Sequence, residues 1–163
     1  MRTLFTILFM AAFFFNLEAQ TNCVIKKAYA FYTVSTPGMQ MSDENGNPIT
    51  PKTDIARFIY IECCGKAKPE LETVLYNNVE LNATLTPITG KSVIPGDNPE
   101  NNASFKITAK NANRLWRIDL HAPGGKEMPV PDCKNIYINT RVKSKTCTFK
   151  LEKETLLASM PRY

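Results

Sequence analysis

One stretch constrains this chain more than any other, the run from Asp54 to Gly65, which reads DIARFIYIECCG. Its β-branched and aromatic residues favour a pleated, half-buried backbone over a helix. Taken at period two, Arg57, Ile59, Ile61 and Cys63 face one way, and Phe58, Tyr60, Glu62 and Cys64 the other. Both faces are largely apolar, so the run predicts a central strand covered on each side. The two adjacent thiols at its end then point in opposite directions.

The rest of the chain carries the same signal at lower density. Residues 23–34, 79–86, 136–142 and 147–151 alternate, and a shorter strand fits 73–76. An edge strand fits Ser92–Ile94, in a segment rich in Pro, Gly and Asn. Ala103, Phe105 and Ile107, followed after Lys110-Asn111-Ala112-Asn113 by Trp116, Ile118 and Leu120, read as a hairpin. No stretch beyond the first residues holds a helical period, and Thr155 to Ala158 is too short to assign. Seven or eight short strands between turn residues predict one all-β domain, a two-sheet immunoglobulin-like sandwich.

Residues 1–19 stand apart. Arg2 precedes an apolar run from Thr3 to Phe15, and the segment closes on Leu17-Glu18-Ala19. That layout predicts a signal peptide cleaved after Ala19 and a mature domain of residues 20–163. The apolar core is about a dozen residues, short of the roughly 20 that a spanning helix needs. Residues 20–163 contain no apolar stretch of that length. The expectation is a periplasmic or secreted protein without a transmembrane segment.

Export places five cysteines, Cys23, Cys63, Cys64, Cys133 and Cys147, in an oxidising compartment. The simplest arrangement is two bridges and one free thiol. If strands one and two pair as an antiparallel hairpin, Cys23 falls near Cys63 and Cys64 and should bond one of them. A tight turn at Lys143-Ser144 sets Cys147 opposite Thr140, which argues against a Cys133–Cys147 bridge. A bridge within the Cys63-Cys64 pair would need a strained backbone. Zinc lacks support, because there is no C-x-x-C and only one histidine.

Few residues offer chemistry. His121 has no nucleophile-elbow pattern to accompany it and stands at a strand end. Glu62 and Asp119 lie in apolar strands and would suit a small envelope hydrolase if they met across a cleft. Alternation sets Glu62 beside Tyr60 and Phe58, on a half-exposed face where a Lys or Arg could pair with it. Asp43, Asn45, Asn47 and Asp54 echo a calcium loop, but Pro48 stands where the glycine should be, so a turn is expected and no metal. Asn82-Ala83-Thr84 and Asn102-Ala103-Ser104 match the glycosylation pattern.

The net charge is +5, and the last hairpin concentrates part of it in Arg141, Lys143, Lys145 and Lys150 around Tyr137. Tyr137, Arg141, Lys143 and Lys145 are therefore the candidate binding residues, for a protein or for an anionic polymer or glycan of the envelope. Charges on an edge strand also block unwanted sheet pairing. No nucleic-acid partner and no cofactor are expected. The function expected is a non-enzymatic binding or structural module. The rivals are the hydrolase and a thiol-redox protein using an unpaired cysteine. A cleft with two carboxylates would favour the first rival, and an exposed free thiol the second.

Overall fold

The computed structural model describes residues 24–35, 41–46, 48–49, 53–65, 68–142 and 145–158. The expected leader at 1–19, its cleavage site and Cys23 lie outside these residues. The strands are β1 (Ile25–Ser35), β2 (Met41–Ser42), β3 (Pro48–Ile49), β4 (Asp54–Cys63), β5 (Glu70–Tyr76), β6 (Val79–Pro87), β7 (Ser92–Val93), β8 (Ile107–Thr108), β9 (Arg114–His121), β10 (Ile136–Val142), β11 (Lys145–Leu151) and β12 (Thr155–Leu157). The protein is all-β, as its alternation predicts. None of the described helical turns is long or apolar enough to cross a membrane.

Eight strands share one mixed sheet in the order β11-β10-β5-β6-β9-β4-β1-β12, and β2-β3 and β7-β8 form two small ribbons. The large sheet is antiparallel except for β12, which runs parallel to β1. It curls, so that β1 and β11, near opposite ends of the ladder, approach each other. The ladder is therefore one continuous curled sheet, where the sequence reading expects two packed sheets.

β4 is central, as its composition requires. β1 pairs along one edge from Ser35↔Asp54 to Ile25↔Cys63, and β9 along the other from Arg57↔Leu120 to Cys63↔Arg114. Ile59 and Ile61 are 0% exposed and face the inside of the curl. There they join Val74, Tyr76, Trp116, Ile118, Ile136 and Ile138 in the main core. The opposite face of β4 lies beneath the segment 88–113, where Phe58 and Tyr60 pack with Phe31, Ile107 and Leu157. The Phe31 ring stands 6.1 Å from both Phe58 and Tyr60. Burial on both faces explains why this one strand lacks the usual wet side.

Two pairings differ from the sequence reading. Residues 103–107 do not form a hairpin with β9. Ile107 pairs with Val93, and β9 is flanked by β4 and β6. β12 is a real strand despite its length, because β1 offers it an open edge and Leu157 a buried socket.

The cysteine arrangement also differs. Cys63, Cys64 and Cys133 are free thiols, so the expected bond from Cys23 to Cys63 or Cys64 is not formed in this structure. Three free thiols leave room for one bridge, not two. The hairpin itself is present, with Cys64 N–H donating to Val24 O at 2.9 Å. A β-bulge between Ile25 and Lys27 shifts the register by one residue, so that Ile25 faces Cys63. Cys63 turns into the core and Cys64 outward. Cys147, opposite Thr140 as expected, is the one described cysteine that is not a free thiol.

Candidate functional site

Glu62, one of the two carboxylates singled out by sequence, serves the fold. It is 2% exposed, and its Oε1 accepts from the Lys110 backbone N–H at 2.9 Å and from Asn113 Nδ2 at 2.6 Å. Burial opposes its ionisation, but the Asn113 and Lys110 hydrogen bonds outweigh it and hold the carboxyl below its ordinary value. The half-exposed pairing with a Lys or Arg side chain is thus replaced by a buried clasp on the turn before β9.

Asp119 stands elsewhere. It faces Phe58 in the β4–β9 register, whereas Glu62 faces Leu115. Four residues along a strand separate the two by about 13 Å, beyond the roughly 5–9.5 Å of paired glycosidase carboxylates. Asp119 is instead bound to Arg117, whose Nη2 lies 2.7 Å from Oδ1 and whose guanidinium caps the Phe58 ring at 4.4 Å. His121 follows on the same face of β9 and is exposed. These residues line a groove of about 740 Å³ at the end of the sheet, with Lys126 and Met128 from the following loop opposite them.

Two of the four expected binding residues, Tyr137 and Arg141, can be placed on one face, and one of them is neutralised. Tyr137 and Arg141 share the outer face of β10, with Asn139 between them. Arg141 is ion-paired to Glu72, and Glu72 Oε2 also accepts from Thr146 Oγ1 at 2.9 Å. Asn139 links Thr73 at 2.8 Å to Thr148 at 2.7 Å. Lys143 lies outside the described residues, and Lys145 opens β11 opposite Val142. The calcium-like loop contains a side-chain turn, with Asp43 Oδ1 accepting the Asn45 N–H at 2.9 Å, while Asp54 belongs to β4. Asn47 is outside the described residues, and no three His, Cys, Asp or Glu side chains converge among those described.

No family model, curated protein or solved structure matches this chain.

Two features had no clear sequence signal. The first is a buried ionic cluster inside the curl. Arg57 donates to Glu154, stacks on the Tyr76 ring at 4.4 Å, and Tyr76 Oη donates to Glu154 Oε1 at 2.7 Å. The alternation of β4 does aim Arg57 inward, but the partners come from distant segments.

The second is a split in the sheet. β5 and β6 form a tight hairpin whose turn residues Asn77 and Asn78 have φ of 47° and 67°, the left-handed pair such turns require. Their ladder nevertheless has only three pairs, ending at Val74↔Leu81. Beyond it β5 stays with β10 and β6 with β9, and a cleft of about 830 Å³ opens between them. A bulge lies beside the divergence. Asn139 pairs with Thr73 but Thr140 with Leu71, so Glu72 is the extra residue and β5 bends there.

Proposed function

We propose that this chain is an exported, non-enzymatic binding or structural module of the periplasm or the extracellular space. The observation that carries the reading is the open cleft between β5 and β6, whose walls are two strand edges. Exposed strand edges are usually blunted or covered, and in binding modules they receive a partner's chain. The catalytic candidates are committed to other contacts: Glu62 to the 110–113 turn and Asp119 to Arg117. A protein partner suits this chain better than an anionic polymer, because Arg141 of the basic hairpin is already paired with Glu72. We further read the curled sheet as a sandwich-like scaffold, with the limb β11-β10-β5 packing across the core from β9-β4-β1.

Assays of the purified protein for hydrolysis of glycan, ester and peptide substrates test the reading. Turnover that disappears in His121→Ala, Glu62→Gln or Asp119→Asn while the fold survives would refute it. One observation favours a second reading, thiol chemistry, since Cys64 is both unpaired and exposed. Cys63 is a poor second thiol for it, because burial first, then the charges of Cys64 and Glu62, push that thiol up to about 12. Failure of the purified protein to reduce or exchange a model disulfide would remove that second reading.

A further inference from the structure

We propose that the β5–β6 cleft is a strand-acceptor slot that takes an extended segment of a partner protein in which apolar residues alternate with Lys or Arg. The proposal deepens the binding-module reading and rests on it.

Backbone pairing provides the first argument. At Glu70, Leu71 and Thr73, β5 is paired toward β10, and over 82–87, β6 is paired toward β9. Their facing edges have no ladder between them, so main-chain donors and acceptors point into the cleft from both walls. Such edges accept a strand irrespective of its side chains, which is how β-augmentation gains affinity. The bulge at Glu72 lies within the separated stretch of β5, and the left-handed Asn77-Asn78 turn keeps the walls joined at one end.

Side chains define the occupant. The inner wall is apolar: Leu71, Ala83 and Leu85 are half-buried against the main core. The outer rim carries three carboxylates against one lining cation, with Glu70, Glu80 and Lys68 exposed and Glu72 shared between Arg141 and Thr146. A strand alternates its side chains at period two. One set therefore meets Leu71, Ala83 and Leu85, while the other emerges on the rim beside Glu70 and Glu80, whose carboxylates outnumber Lys68 and favour cations. Asn82 stands exposed on the same rim, so a glycan there would close the slot.

The test uses the purified protein and a fluorescein-labelled heptapeptide alternating valine and lysine. Fluorescence anisotropy should give saturable binding. The double variant Glu70→Lys/Glu80→Lys, altered only at exposed positions, should weaken it at least about tenfold. The same peptide N-methylated along one edge should not bind, because it keeps the side chains and loses the backbone donors. Hydrogen exchange should slow at amides of residues 70–73 and 82–85 when the peptide is added. Absent binding, binding indifferent to the charge reversal, or equal binding of the N-methylated peptide would each overturn the slot. So would a peptide that competes with self-association, which would assign the cleft to a second copy. None of these results bears on whether the protein turns over a substrate, so the slot and the non-enzyme reading fail separately.

Discussion

Arg57 donates from Nε to Glu154 Oε2 across 2.9 Å, and the two side chains are only 1% and 4% exposed. Glu154 directly precedes β12, so this contact fastens the C-terminal strand to the inside of the sheet at the start of β4. Tyr76 completes the cluster by donating to Glu154 and accepting from the Asp132 N–H at 3.2 Å.

Removing one member should therefore be costly. Glu154→Ala leaves a buried guanidinium without its carboxylate, a loss of roughly 3–5 kcal/mol. Replacing both by apolar residues, as in Arg57→Met/Glu154→Leu, should recover most of that loss. Urea unfolding of the three proteins measures it, and a double variant no more stable than the single would contradict the account.

Stability should fall in alkali. Burial, followed by the Glu154 hydrogen bond, pushes Tyr76 from 10.0 up to about 12. Burial similarly pushes Cys63 from 9.0 up to about 12 and Cys133 from 9.0 up to about 11. Each group is neutral when protonated, and the unfolded chain loses these protons first. The contribution is thus complete below about pH 9 and declines as pH rises toward 12. Glu62 acts at the other end: its lowered value adds stability above the ordinary range, which is lost as pH falls through it. Urea midpoints measured between pH 7 and 11 should drop, and Tyr76→Phe should flatten the drop. A flat profile in the unmodified protein would count against the buried-group explanation.

The thiols should be separable by access. At pH 8 iodoacetamide should modify exposed Cys64 first, with Cys133 slower and Cys63, enclosed in the core, slowest. Mass spectrometry of native, timed samples gives the order. Labelling of Cys63 as fast as Cys64 would mean that the start of β1 does not cover the end of β4 as described.

Core and groove should respond oppositely to truncation. Ile59→Ala removes a side chain that is 0% exposed and should cost roughly 2–5 kcal/mol. His121→Ala, at an exposed strand end, should stay within about 0.5 kcal/mol of the unaltered protein. Thermal or urea unfolding distinguishes them, and a large loss at His121 would reveal a contact that its position does not suggest.

The period-two pattern of Asp54–Cys63 determines by itself that this strand is central and that Arg57 and Ile59 share a face. Alternation likewise determines the all-β class and the hairpin that sets Cys147 opposite Thr140, because strand periodicity and turn chemistry are local properties. What lies opposite a face is not local. Arg57 could be assigned inward from sequence, but its carboxylate sits 97 residues away on a segment too short to show a period. Glu62 follows the same logic, since only folding brings the Lys110 amide and Asn113 over it. A one-residue bulge leaves no sequence pattern, yet one at Ile25/Lys27 decides which residue faces Cys63, and another at Glu72 decides which residue of β5 faces Thr140. Hydrophobic alternation specifies which residues must be covered; register, bulges and the curl of the sheet decide what covers them.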